Sequence, residues 1–309
     1  MVGAQGVRIG AIDIGTNSVR LLVAERVGNK LKELVRQSTV TRLGQGVDDS
    51  GILLPDAIAR TIAVLNTYGA IMDDHGVEAR RAIATSASRD ATNVETFMEE
   101  AAAAIGVRPD VVGGDEEARL SFRGATWGPT APRNVPGSTL VIDVGGGSSE
   151  FVAGTNEPLY ARSVDIGSVR LTERHLGSNP SSPVAVDEAR AHTAALFRSQ
   201  LRLPDIAVAL GVAGTYTTVA AMHLELAFYD RSAVDGTVLT LADLRDIVER
   251  LAVMSLQQIM EIPSMDPARA PVILGGTIVA EQALAASQLG EITVSESDIL
   301  HGVALSLVG

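Results

Sequence analysis

Asp13-Ile14-Gly15-Thr16-Asn17-Ser18 and Asp143-Val144-Gly145-Gly146-Gly147-Ser148-Ser149-Glu150 are the two stretches on which the reading of this chain turns. Each follows a short apolar, β-branched stretch (Val7 to Ile12; Leu140 to Ile142) and precedes another (Val19 to Ala24; Phe151 to Ala153). That pattern predicts strand, tight turn, strand, with an aspartate ending the first strand and small hydroxylated residues in the turn. The leading aspartates stand 130 residues apart, at 13 and 143. One phosphate-holding hairpin is therefore built twice, which implies a ligand clamped between two related domains.

The residue types suit that chemistry. Glycine lets backbone N–H groups approach phosphate oxygens with no side chain in the way. Thr16, Ser18, Ser148 and Ser149 add hydroxyl donors, and Asp13 and Asp143, at strand ends, are placed to hold Mg²⁺ directly or through water. In Gly113-Gly114-Asp115-Glu116-Glu117, Asp115 is the expected N-cap of a helix with both glutamates in its first turn. Acids there stabilise the helix dipole by about 0.3–1 kcal/mol. The functional alternative is a glutamate that takes a proton from an attacking water. Successive helical residues point about 100° apart, so only one of the two can face such a site. Arg89, in Thr85-Ser86-Ala87-Ser88-Arg89-Asp90, follows a strand and offers a bidentate fork to phosphate.

Composition narrows the classes further. At 309 residues, with 46% hydrophobic residues and a mean hydropathy of +0.21, the chain is expected to bury a substantial core in two domains. A net charge of −12 argues against a nucleic-acid surface. Cysteine is absent, which excludes disulfides and thiolate metal sites. The only lysines are Lys30 and Lys32, neither in a Gly-Lys-Ser/Thr loop, so P-loop ATPases are excluded. His75, His175, His192, His223 and His301 show no metal-ligand spacing, and no Ser-His-Asp elbow is visible. With no signal peptide and no apolar run of membrane-spanning length, a cytoplasmic protein without a membrane partner is expected.

Periodicity gives a coarse element order. Strands are expected at residues 7–14, 19–26 and 30–35, with a turn at Gly28-Asn29, then a helix from Pro55 to about Gly76. A strand at 82–85, a capping box Thr92-x-x-Glu95 opening a helix to Gly106, and a strand at 111–112 follow. Residues 127–138 read as a loop into the second unit. There, strands are expected at 139–143, 150–153, 158–164, 206–210 and 292–294, with helices at 169–176, 183–202, 241–254 and 278–290. The turn Gly211-Val212-Ala213-Gly214-Thr215 leads into one more helix. The β-β-β-α order recurs, as duplication requires, in mixed sheets flanked by helices.

With those residues in hand, the chain resembles the bacterial exopolyphosphatase / guanosine pentaphosphate phosphatase family. The matching stretches are Ala11 to Leu21, Ala84 to Ala91, Glu116-Glu-Ala-Arg-Leu120, Val141 to Glu150, Gly167-Ser-Val-Arg-Leu171, Gly211 to Thr215 and Thr293-Val-Ser295. The resemblance implies an α/β fold of two duplicated actin-like (ribonuclease H-like) domains with the active-site cleft between them. Residues 1–124 with 297–309 would form the first domain and 125–296 the second. It implies Glu117 as catalytic base, and Thr16, Asn17, Ser18, Arg89, Gly145, Gly146, Gly147, Ser148 and Ser149 as phosphate contacts. It also implies Asp143, Glu150 and Asp13 as acids associated with Mg²⁺, for which Mn²⁺ can substitute, and a homodimer. The expected substrate is inorganic polyphosphate, or alternatively guanosine pentaphosphate. Longer family members carry extra C-terminal helical domains; without them and at this net charge, shorter chains and weak processivity are expected.

Two other classes remain open at this stage. A small-molecule kinase of the same superfamily would transfer phosphate from ATP to an acceptor, with residues 211–215 as its adenosine motif. A non-catalytic or filament-forming actin-like protein would make the acidic helix start and Arg89 surface features.

Overall fold

The computed structural model describes residues 6–28, 30–133 and 135–308. Asn29, in the expected Gly28-Asn29 turn, and Asn134, in the expected 127–138 loop, lie outside the described residues. Contacts divide the chain into two compact units, Met1–Gly113 with Ile299–Gly309, and Gly114–Asp298.

In unit 1 the expected hairpin opens an antiparallel meander of β1 (Arg8–Ile14), β2 (Ser18–Val27) and β3 (Lys30–Val40). Two helices, α1 (Val47–Ser50) and α2 (Pro55–Asp74), lead to β4 (Ala79–Ala84), which lies parallel to β1. The short α3 (Ser86–Asp90) and α4 (Val94–Ile105) precede β5 (Asp110–Val111), giving the order β3-β2-β1-β4-β5. Ile12, Ile14, Leu21 and Val23 of the sheet pack with Leu65, Tyr68 and Met72 of α2 and Phe97 of α4. Each such side chain withdrawn from water contributes about 1.5–3 kcal/mol.

Unit 2 begins with α5 (Gly114–Trp127) and repeats the meander as β6 (Ser138–Val144), β7 (Ser149–Gly154) and β8 (Pro158–Val164). Next come α6 (Ser168–Leu171), which runs into one π-helical turn over Thr172–Leu176, and α7 (Pro183–Gln200). Then β9 (Ile206–Val212) lies parallel to β6 and is followed by α8 (Ala213–His223), α9 (Arg231–Val234), β10 (Val238–Thr240), α10 (Leu241–Val253) and α11 (Leu256–Met260). The long α12 (Ala270–Ser287) and β11 (Glu291–Val294) complete a sheet of order β10-β11-β9-β6-β7-β8. The last helix, α13 (Ile299–Ser306), returns to unit 1 and packs on β1, β2 and β4. Two mixed sheets flanked by helices are thus present, as the duplicated hairpins require.

Several expectations need correction. The contact boundaries fall at 113/114 and 298/299, whereas the sequence reading placed them at 124/125 and 296/297. The difference at 113/114 comes from α5, whose Ala118, Phe122 and Ala125 pack on Val141, Val152 and Val212 of the second sheet. No capping box opens α4. Asn93 instead accepts from Leu53 N (2.8 Å) and donates to Leu53 O (2.9 Å), and Thr92 donates to Gly51 O. Asp115 does not cap α5, which already begins at Gly114. Helix α12 starts eight residues before the expected position 278, because Gly275 and Gly276 do not break it. A Cβ on Gly275 would stand 2.3 Å from Thr172 Oγ1, so the glycine allows close packing on the α6 segment.

That helix also overturns the expectation about apolar runs. At 18 residues and mean hydropathy 1.3, α12 is long and apolar enough to cross a membrane, yet 72% of it is buried within the protein. Its acid, Glu281, is buried and paired with Arg190 of α7 at 2.9 Å. Burial against α7 and α10 and that ion pair identify α12 as a core helix.

Candidate active site

Both glycine loops are pinned by their carbonyls. In unit 2, Ser168 N donates to Gly145 O at 2.9 Å, and Val169 N and Arg170 N donate to Gly146 O at 2.9 and 3.2 Å. A trans peptide points its N–H opposite to its C=O, so the N–H groups of Gly146 and Gly147 are turned together to the other side. Two successive amides so aimed form an anion-binding nest. Gly167 must be glycine for this, since a Cβ there would stand 2.6 Å from the carbonyl carbon and oxygen of Gly146.

Unit 1 uses the same device. Gly44 N donates to Thr16 O at 2.8 Å, and Thr41 N and Arg42 N donate to Asn17 O at 3.0 and 2.9 Å. The N–H groups of Asn17 and Ser18 are thereby directed away from the 41–44 segment. Thr16 Oγ1 accepts from Ala87 N at 3.2 Å, tying the loop to α3. Arg89, on α3, donates through Nη1 to Val112 O at 2.9 Å. Asn17 Oδ1, Thr41 Oγ1 and Ser88 Oγ are buried with no hydrogen-bond partner among the described residues. Sequence reasoning passed over Thr41 and Ser88, because only the fold shows that their hydroxyls are buried.

The acids of unit 2 are set out by strand register. Asp143 pairs with Glu150, and Glu150 pairs with Ser163, so the three lie abreast across β6, β7 and β8. Side chains opposite each other in such a ladder share a face. Helix α5 covers that face. Ser121 Oγ donates to Asp143 Oδ2 at 2.7 Å, and Ser163 Oγ donates to Glu150 Oε1 at 2.7 Å. Glu117, one turn before Ser121, is 8% exposed and Glu150 is 1% exposed. Burial pushes the Glu150 carboxyl well above the usual range. The charges of Glu117 and Asp143 push it the same way, against the Ser163 and Ser148 hydroxyls. Asp143 and Glu150 side by side in this buried row, with Glu117 close enough to raise Glu150, form a locally negative site that a bound cation would offset.

The residue facing Asp13 differs. Asp13 pairs in register with Arg20, which donates to Asp13 Oδ2 through Nε (2.9 Å) and Nη2 (2.5 Å). Position 20 is offset from position 150 by the same 130 residues as the two aspartates, so an arginine replaces the glutamate. Ser149, expected among the phosphate contacts, donates its hydroxyl to Ile166 O at 2.6 Å and anchors the turn before α6. Among the described residues, no three His, Cys, Asp or Glu side chains are grouped to hold a metal. The oxygen donors nevertheless fit Mg²⁺, which is commonly bound by one or two carboxylates plus water and substrate phosphate. Asp143 and Glu150 supply that pair.

Residues 22–309 match the Ppx/GppA phosphatase family. The chain belongs to that family. Among Ppx/GppA relatives, it is similar to Exopolyphosphatase 2 of Mycobacterium tuberculosis, at 40% identity over 98% of this chain and 99% of the relative. An exopolyphosphatase-like protein of known structure has a TM-score of 0.92 at 34% identity over 98% of each chain. The Ppx/GppA structure from Aquifex aeolicus has a TM-score of 0.81 at 29% identity, covering 98% of this chain and 97% of that one. These likenesses extend over both units, and the actin-like fold expected from the sequence is the fold of these Ppx/GppA proteins.

Of the expected site residues, unit 2 brings together Glu117, Asp143 and Glu150 beside the Gly145–Gly147 loop. Unit 1 gathers Thr16, Asn17 and Ser18, with Thr16 bonded to α3, the helix that carries Arg89. Sequence reasoning missed Arg20, Ser121 and Ser163. Ser121 lies four residues after Glu117, a spacing that places both on one helix face and could have revealed it.

Proposed function

We propose that this chain is an exopolyphosphatase that hydrolyses the terminal phosphoanhydride of inorganic polyphosphate. The carrying observation is the buried row of Asp143 and Glu150 beneath Glu117, beside a loop with two amides turned outward. The name of the full-length relative from Mycobacterium tuberculosis supports the substrate.

In this reading the Gly146 and Gly147 amides and Ser148 hold the terminal phosphoryl group. The Asn17 and Ser18 amides and Arg89 offer a second set of phosphate donors. Glu117 accepts a proton from water as the water oxygen bonds to phosphorus. The bridging P–O bond breaks, and the chain departs one phosphate shorter. Asp143 and Glu150 would hold Mg²⁺ or Mn²⁺, which offsets phosphate charge when bound. Asp13, held by Arg20, serves the structure of its loop. The net charge of −12 supports a preference for shorter chains.

The test is phosphate release with Mg²⁺ from short polyphosphate, long polyphosphate, guanosine pentaphosphate and ATP, using wild type and Glu117→Gln. Release from polyphosphate that falls about 10²–10⁴-fold in the folded variant is expected. Near-wild-type turnover in Glu117→Gln would remove Glu117 as the base. Release only from the guanosine nucleotide would reassign the substrate, and ADP formation that needs an acceptor would revive the kinase reading.

A further inference from the structure

The underside of α5 matches the acid row position by position. Gly114, Glu117 and Ser121 fall within about 60° of arc at 100° per residue. Below them lie Ser163, Glu150 and Asp143, abreast by register. At one end, Ser121 donates to Asp143. At the other, a Cβ on Gly114 would stand 2.5 Å from Ser163 Cβ and 2.9 Å from Ser163 Oγ, and the three atoms nearest to it all belong to Ser163. The first turn of α5 therefore rests on Ser163, whose hydroxyl in turn holds Glu150 at 2.7 Å. One residue sets both the height of the helix carrying Glu117 and the orientation of Glu150.

We infer that Gly114 and Ser163 are positioning residues that together fix Glu117 over the Asp143–Glu150 pair. Neither touches the reacting atoms. Ser163 acts through Glu150, and Gly114 acts by having no side chain where Ser163 lies. This rests on the assignment of Glu117 as base.

The contact predicts a coupling that separate structural roles would not produce. Gly114→Ala should lower kcat about 10²-fold with KM little changed, since a displacement near 1 Å has that cost. Against Ser163→Gly, which removes the obstructing Cβ, the same change should have little further effect on kcat. Ser163→Ala should lower kcat about 10-fold, while Ser163→Thr, which keeps the hydroxyl, should stay within about threefold of wild type. A second readout is the rise in melting temperature on adding Mn²⁺, which should shrink in Ser163→Ala and return in Ser163→Thr. Equal effects of Gly114→Ala in both backgrounds would overturn the inference. So would a Ser163→Ala protein with wild-type kcat and wild-type Mn²⁺ response. If wild type releases no phosphate from tripolyphosphate, the proposed activity fails, and the Mn²⁺ response still decides whether Ser163 holds Glu150.

Discussion

Arg20 and Glu150 occupy the same place in the two hairpins, each directly across from the leading aspartate, and carry opposite charge. In unit 1 the buried Asp13 is balanced within the protein. Arg20→Ala would leave that carboxylate without its guanidinium, and removal of one partner from a buried pair costs about 3–5 kcal/mol. Denaturant unfolding would measure it, and a loss below about 1 kcal/mol would show that the pair contributes little. Thr41 and Ser88 call for the opposite result. Each hydroxyl is buried without a partner among the described residues, so Thr41→Val and Ser88→Ala should be neutral or stabilising by about 1 kcal/mol. A clear loss of stability would show that a buried water satisfies them. Residue types near the loops were legible in the sequence; the partner of each was not. The Asp13 and Asp143 motifs read alike, and only strand register shows one facing an arginine and the other an acid.

At the scale of elements, the hairpins were legible because alternation, glycine and aspartate agree on one turn. Capping was not, because Asn93 and Thr92 have competing partners in the 51–53 loop. The helix expected at 278–290 begins at Ala270 and runs through Gly275 and Gly276, which mark close packing on α6. That segment also carries the clasp on the second loop. Gly167→Ala would force a Cβ against Gly146 backbone, which cannot move aside as a flexible side chain can. Phosphate should then stabilise the variant much less than wild type in thermal unfolding; an unchanged phosphate response would count against the nest. Just beyond α6, His175 of the π-helical turn faces His192 of α7, with ring centroids 4.6 Å apart. Burial lowers the His192 pKa from the ordinary 6.5, helped by the charges of His175 and Arg174. The unfolded chain then takes up the proton first. Stability is complete above that value and declines as pH falls through it. His192→Gln should flatten the decline between about pH 7 and 5; an unaltered pH profile would exclude the pair as its source.

At the scale of the molecule, α13 is the feature least evident from local sequence, since its apolar face identifies no partner. Its Ile299, Leu300, Val303 and Ala304 are buried, His301 meets Glu33 at 2.9 Å, and Ser306 accepts from Arg81 at 2.8 Å. Deleting residues 299–309 should therefore weaken unit 1 selectively. Hydrogen exchange should accelerate in β1, β2 and β4 and remain slow in β6, β7 and β9, whereas uniform acceleration would mean that the two units share one cooperative transition. The expectation that the last segment joins the first unit came from the family resemblance, and the boundary at Gly113/Gly114 came only from the packing of α5. That boundary has a consequence for how the work is divided. Glu117, Asp143, Glu150 and the serines holding them all belong to one continuous stretch of chain, so the spacing of the acids is internal to a single body. A substitution among residues 6–113 can therefore alter the first unit's loop while the distances among these three acids stay as they are.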